Sequence, residues 1–209
     1  ATGGLPWVHQ EVFVPAAANF HAYEFGDVAI KPGDHVIDAG ASSGFFTRYA
    51  LDKGATVLIV EALPEVAKAL AWTFADEIRD GRVRIHAAAL GRESGQTKIS
   101  FSSDSLYEAK VGDEGADVRV EPLDALVGDE RVDFLKMDVE GAEMDALTGA
   151  RETIARDKPK LSVAVYHEYE NARLVEKIVR DIRPDYQIAH RGIFAFEGCR
   201  PRLFLTYAW

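Results

Sequence analysis

Several stretches of this chain place carboxylates and glycines directly after short β-branched runs, where side chains and free backbone N–H groups can meet a ligand. The first is Asp38-Ala-Gly-Ala-Ser-Ser-Gly44. Gly40 and Gly44 can adopt positive φ or let a ligand approach the backbone closely, and the N–H groups around Ala41 and Ser42 can receive its polar end. A dinucleotide cradle needs G-x-G-x-x-G, but counting from Gly40 the other two glycine places hold Ser42 and Phe45. Asp38 would also repel a phosphate, whereas it could receive the ammonium of an amino-acid-like cofactor. Taken alone, the glycine pair is equally well an ordinary strand-to-helix turn.

The second stretch ends the run Thr56-Val-Leu-Ile-Val with Glu61, followed by Ala62. A carboxylate at the edge of an apolar run can accept hydrogen bonds from both hydroxyls of a ribose, although a lone acid there is also a common strand end. Ribose and ammonium together point to S-adenosylmethionine. The third stretch, Ala87-Ala-Ala-Leu-Gly91, offers small residues, Ala88 and Ala89, against which a flat adenine could lie. Plain small-residue packing accounts for it equally.

Chemistry on an acceptor would come from two further stretches. Leu135-Lys-Met-Asp-Val-Glu-Gly-Ala-Glu143 puts Asp138 and Glu140 side by side before Gly141 opens a helix. Helix-dipole capping is the simpler account of Glu140 and Glu143, but it does not cover Asp138. Tyr166-His-Glu-Tyr-Glu170 brings His167 to the same edge, where an imidazole of ordinary pKa about 6.5 can act as a base or serve as a structural hydrogen-bonding group. The spacing of Asp138, Glu140, His167 and Glu168 matches no standard ligand signature, so no metal is expected.

Positioning these residues requires strands with helix-length crossovers. Strands are expected at His35–Asp38, Thr56–Glu61, Arg82–Ala87, Val132–Asp138, Leu161–Tyr166, Tyr186–Ala189 and Leu203–Tyr207, with a short alternating one at Thr97–Phe101. Helices are expected from Phe45 to a stop at Gly54 and from Pro64 with Val66, Leu70 and Phe74 on one face. Two more should run from about Ala142 to Ala155 and through Leu174, Ile178 and Ile182. Such alternation gives a mainly parallel α/β sheet covered by helices on both faces, closed by an antiparallel last strand, with ligands at the carboxyl ends of the strands.

Composition narrows the partners. The chain has 209 residues, 47% of them apolar, which is enough for one core without staples, and nothing divides it by composition. We therefore expect a single domain over 1–209, with residues 1–30 as a lid or cap and 31–209 as the core. A formal net charge of −10 opposes nucleic acid and anionic membranes, and arginines 79, 82, 84 and 92 are interleaved with acids. The single Cys199 forms no internal disulfide, no run is long enough to span a bilayer, and the N-terminus lacks a signal-peptide pattern, so the expected compartment is the cytoplasm.

The chain resembles the FkbM-type methyltransferases through Val36-Ile-Asp-Ala-Gly-Ala-Ser-Ser-Gly-Phe-Phe-Thr47, Glu61-Ala-Leu-Pro64, Ala89-Leu-Gly91 and Phe134-Leu-Lys-Met-Asp-Val-Glu-Gly-Ala-Glu143. These blocks stand in the family's order and spacing, and the resemblance runs from about Tyr23 to the C-terminus. It implies a seven-stranded class I (Rossmann-like) fold with S-adenosylmethionine as donor. Asp38, Gly40 and Gly44 match the first cofactor motif, Glu61 the ribose acid, and Ala88 and Ala89 the adenine position. Ser42 stands where the family often has Asn.

The expected activity is O-methylation of a hydroxyl on a small molecule, sugar or natural product, with His167, Asp138 or Glu140 accepting the proton. Asn19–Ile30 and Phe101–Val120 are expected to be loop-rich lids, and Trp7, Phe20, Tyr23, Phe25 and Tyr107 are candidates for an apolar acceptor pocket. N-methylation on the same fold, a non-catalytic cofactor-binding partner protein and a nicotinamide dehydrogenase are the competing readings. The acceptor and the oligomeric state are not legible.

Overall fold

The computed structural model describes residues 5–102, 105–112, 115–195 and 198–209. Its helices are α1 (Leu5–Phe13), α2 (Phe45–Asp52), α3 (Pro64–Thr73), α4 (Ala75–Arg79), α5 (Leu123–Val127), α6 (Glu143–Thr148), α7 (Arg151–Asp157) and α8 (Asn171–Ile182). The strands are β1 (His35–Ala39), β2 (Thr56–Glu61), β3 (Val83–Ala87), β4 (Ala89–Leu90), β5 (Gly95–Ser102), β6 (Ser105–Gly112), β7 (Ala116–Glu121), β8 (Phe134–Met137), β9 (Lys160–Ala164), β10 (Ile188–Phe194) and β11 (Arg202–Ala208).

Seven strands form one sheet in the order β10-β11-β9-β8-β1-β2-β3. Only β11 runs against its neighbours, as the sequence predicts. The apolar runs at β1, β2 and β8 are buried on both faces, and alternation sorts their side chains. Ile37, Ala39, Leu58, Val60, Leu135 and Met137 face one cluster, with Leu147 and Ile154 from α6 and α7 and Val175 and Val179 from α8. Val36, Val57, Ile59 and Phe134 face the other, with Phe46 and Ala50 from α2, Leu70 of α3, and Tyr23, Val28 and Ile30. Fully buried side chains such as Ile59, Phe134 and Leu135 each contribute roughly 1.5–3 kcal/mol by leaving water.

Period two also decides where two charged residues go. Asp38 alternates with Ile37 and Ala39, and Lys136 with Leu135 and Met137. Asp38 and Lys136 are register partners across the parallel β1–β8 pair, so both project beside each other.

The structure corrects two expectations and refines a third. The described residues of Phe101–Val120 are mostly strand: β5, β6 and β7 pair antiparallel and, with β4, make a second sheet of order β4-β7-β5-β6. Alternation such as Asp117-Val-Arg-Val120, with Val118 buried, is the strand signal there. The helix expected over Ala142–Ala155 is two, because the chain breaks at Gly149. A Cβ at Gly149 would stand 2.0 Å from the Gly91 carbonyl oxygen, and the Asp124 carboxylate accepts the N–H groups of Glu152 and Thr153 at 2.9 and 2.8 Å to begin α7. The buried stripe of α8 runs through Ala172, Val175 and Val179, one position off the expected Leu174-based one, with Ile178 and Ile182 at its margin.

The N-terminal α1 was also unexpected. It is tied to the following segment by Asn19, whose Nδ2 donates to the carbonyls of Gln10, Glu11 and Val14. That segment docks on the sheet, since the buried Tyr207 hydroxyl donates to the Ala22 carbonyl at 2.5 Å. Among the described residues no helix is long and apolar enough to cross a membrane.

Candidate active site

From β1 the chain turns to β2 and β3 on one side of the large sheet, and later returns through β8 and β9 on the other. The crevice beyond the carboxyl ends of β1, β2 and β8 is therefore where strand order reverses and where open α/β sheets bind ligands. It holds a cavity of about 630 Å³, within the size range of small-molecule sites.

One wall is the turn after β1. Gly40 has φ +76°, and a Cβ there would lie 1.8 Å from the Asp138 carbonyl oxygen, so only glycine lets the turn cross the end of β8. Ala41, Ser42 and Ser43 line the cavity with Gly40, and Ser42 holds the unusual φ of +48°. Gly44 does not line it. Gly44, at φ +76°, starts α2, and its missing Cβ leaves room for Leu70 and Phe74, each 2.8 Å from where that atom would be.

Asp38 lies beneath this wall. Fully buried, its carboxylate accepts from the Thr47 hydroxyl at 2.7 Å and pairs with the Lys136 ammonium at 3.1 Å. Lys136 also donates to the carbonyls of Ala39 and Gly40 at 3.2 and 2.6 Å. The pair thus braces the glycine turn from below, while Lys136 itself reaches the cavity wall and Asp38 does not.

Opposite, Glu61 ends β2 with both oxygens on backbone amides, Ser42 N–H at 3.1 Å and Leu63 N–H at 3.0 Å. Burial raises its pKa from the usual carboxylate value, against the pull of those two amides. Each oxygen keeps a lone pair for a further donor. Ala62, Ala88 and Ala89 line the adjoining wall, and Leu63 and Ile99 complete an apolar slot between the two sheets. The sequence does not reveal Ile99 as a wall residue, because it arrives from the unforeseen second sheet.

The far end is acidic. Asp138 accepts from the Tyr23 hydroxyl at 2.9 Å and the Tyr166 hydroxyl at 3.3 Å. Burial and the facing Asp138 carboxylate both push these tyrosines up in pKa, so they stay protonated donors. Glu140, at φ +55°, also lines the cavity and is more exposed. His167 does not line it. Its Nε2 lies 3.4 Å from Glu140 and 3.7 Å from Asp138, and its Nδ1 lies 3.1 Å from the fully buried Glu143. Burial by itself would lower the imidazole pKa, but Glu140, Glu143 and Asp138 outweigh it and bring it up to about 10. Glu143 also accepts from the N–H groups of Val139 and Gly141 at 3.0 and 3.3 Å, both ahead of α6, and it stands in the first turn of that helix without capping its free amides. The side chains of Trp7 and Tyr107 lie outside the described atoms. Phe20 is 70% exposed, and of the five candidate aromatics only Tyr23 reaches the cavity wall among those described.

Sheet order, switch-point crevice and glycine turn together define a class I methyltransferase fold. The family model described as "Methyltransferase FkbM domain" matches residues 38–186, well over half the chain. The chain belongs to the FkbM methyltransferase family, and S-adenosylmethionine is the cofactor of that family. "Methyltransferase 1" of Beauveria bassiana is 30% identical over 175 residues, 69% of this chain and 67% of that protein. The crystal structure of an FkbM methyltransferase from Methylobacillus flagellatus superposes with TM-score 0.67 at 23% identity, covering 98% of this chain. The present chain spans 50% of that structure's length. Fibrillarin of Aeropyrum pernix, with natively bound S-adenosyl-L-methionine, shares the fold at TM-score 0.52 and 15% identity, over 86% of this chain and 67% of that one.

Proposed function

We propose that this chain transfers the methyl group of S-adenosylmethionine to a hydroxyl oxygen of a small molecule, of the sugar or natural-product kind. In this reading the amino-acid end of the cofactor rests on the turn Gly40-Ala41-Ser42, its ribose hydroxyls donate to Glu61, and its adenine lies between Ala88, Ala89, Leu63 and Ile99. The acceptor enters opposite, under a cap formed by the segment up to residue 30, which supplies Glu11, Val12 and Tyr23 to the wall, over a core of residues 31–209. Most of the rate comes from holding the acceptor oxygen in line behind the S–CH₃ bond. When bound, S-adenosylmethionine would supply the methyl group to the acceptor oxygen and leave as a neutral thioether. The hydroxyl proton passes to a carboxylate.

The observation that carries this reading is the placement of Asp138 and Glu140 on the wall of the same cavity that holds Glu61. Asp138 is oriented by two tyrosine hydroxyls, which suits a positioned proton acceptor. The acidic wall equally favours a cationic amine, so N-methylation is the second reading.

Incubating the protein with methyl-labelled cofactor and matched panels of hydroxyl and amine acceptors, then locating the label by NMR, separates the two. Asp138→Asn should lower the transfer rate by about 100-fold or more with S-adenosylhomocysteine binding retained, in the range typical of general bases. Undiminished transfer in both Asp138→Asn and Glu140→Gln would overturn the assignment, as would label found only on nitrogen.

A further inference from the structure

We infer that Asp138, Glu140 and His167 form a divalent-cation site at the acceptor end of the cavity. One carboxylate oxygen from each acid and one ring nitrogen of His167 lie within 4.8 Å of one another. His167 Nε2 is 3.4 Å from Glu140 Oε2 and 3.7 Å from Asp138 Oδ1, and neither ring nitrogen makes an aligned hydrogen bond. Those separations exceed an N–H···O bond, but they approach the roughly 3.0–3.4 Å between adjacent ligand atoms on an octahedral ion with bonds of about 2.1–2.4 Å. A small inward movement of three side chains would close the shell.

Two further observations point to an ion rather than to a set of internal pairs. The first is Glu143, fully buried, with one oxygen 3.1 Å from His167 Nδ1 and the other without a partner. A buried carboxylate behind the second ring nitrogen is the arrangement that fixes the tautomer of a metal-bound histidine and presents Nε2 to the metal. The second is charge. Asp138, Glu140 and Glu143 converge on a single imidazole, and the nearby cation, Lys136, is committed to Asp38 and two carbonyls. Two carboxylates and an imidazole form a hard to borderline ligand set suited to a divalent transition metal such as Mn²⁺.

Asp138 and Glu140 line the cavity, so the ion's remaining positions face the space assigned to the acceptor. Asp138 would offer Oδ1, which also accepts from the Tyr166 hydroxyl, while its Oδ2 stays on the Tyr23 hydroxyl, and Glu140 would offer Oε2. That the ion meets an acceptor hydroxyl rests on the O-methylation reading, whereas the binding of the ion does not. The site is invisible to spacing rules because its histidine comes from the segment after β9 and its acids from the segment after β8.

The test is manganese titration of the chelator-treated protein, followed by the loss of the free Mn²⁺ electron paramagnetic resonance signal. S-adenosylhomocysteine binding is measured on the same samples. The wild type should bind one Mn²⁺ per chain at micromolar levels. His167→Ala and Asp138→Asn should each weaken this tenfold or more, and His167→Ala should keep its S-adenosylhomocysteine affinity, which shows that it is folded. No Mn²⁺ binding at millimolar metal, or equal binding by His167→Ala, would overturn the site and leave His167 as an internal ion-pair partner. Mn²⁺ binding without S-adenosylhomocysteine binding would support the metal site while overturning the cofactor reading.

Discussion

Gly40→Ala should unfold the turn that forms one wall of the cavity. At φ +76° an added Cβ costs about 1 kcal/mol in backbone strain alone. The larger penalty is contact, since the new carbon would sit 1.8 Å from the Asp138 carbonyl oxygen. Neither partner is a flexible side chain. One backbone carries the cavity wall and the other joins β8 to Glu140, so relief means moving β1 away from β8 or re-routing the turn. We expect a loss of roughly 3–5 kcal/mol in stability, the upper range for single substitutions. Because displacing a bound group by about 1 Å costs on the order of 100-fold in rate, surviving protein should transfer methyl groups at least that much more slowly. Urea unfolding and turnover check the two parts. An alanine variant with the wild-type midpoint and rate would mean that the turn does not cross β8 as described.

Asp38→Ala should cost nearly as much for a different reason. Asp38 and Lys136 are both buried and sit at register positions on adjacent parallel strands, so removing the acid leaves a buried ammonium with two carbonyls and the face of Tyr23 but no counter-charge bonded to it. Breaking a buried ion pair from one side costs about 3–5 kcal/mol, most of it the solvation of the orphaned charge. Removing the charge as well should restore much of the loss. Asp38→Ala with Lys136→Met should therefore be less destabilised than Asp38→Ala alone, with a coupling of about 2–3 kcal/mol in the double-mutant cycle. Strict additivity would show that the pair is not energetically joined.

That second prediction marks a limit of reading the site from sequence. The first motif is legible once it is joined to Glu61, because the glycine turn alone is equally an ordinary strand-to-helix turn, and Gly40 and Glu61 both stand on the cavity wall. Asp38 is a different case. The sequence puts an acid at the motif, but period-two alternation turns it under the sheet end, and only the register with Lys136 shows what it meets. The signal was present as a lysine inside the apolar run Phe134-Leu-Lys-Met, which needs a buried partner.

The large sheet was legible for a similar physical reason. Its central strands β1, β2, β8 and β9 are buried on both faces and read as apolar runs, whereas the second sheet is mixed in composition, so Phe101–Val120 resembled a loop. The acidic end was half legible. Asp138, Glu140 and His167 do converge, but the hydroxyls of Tyr23 and Tyr166 reach Asp138 from 115 and 28 residues away, and no spacing rule spans such distances.

The most direct test of the account is calorimetric titration with S-adenosylmethionine and S-adenosylhomocysteine, comparing the wild type with Glu61→Ala and with Glu61→Gln. Glu61 offers the cavity a lone pair on each oxygen, and each decade of affinity corresponds to about 1.4 kcal/mol. We expect micromolar binding by the wild type, a loss of tenfold or more in Glu61→Ala, and an intermediate value for Glu61→Gln, which keeps one acceptor oxygen. Absence of binding by the wild type, or undiminished affinity in Glu61→Ala, would contradict the placement of the cofactor in this cavity.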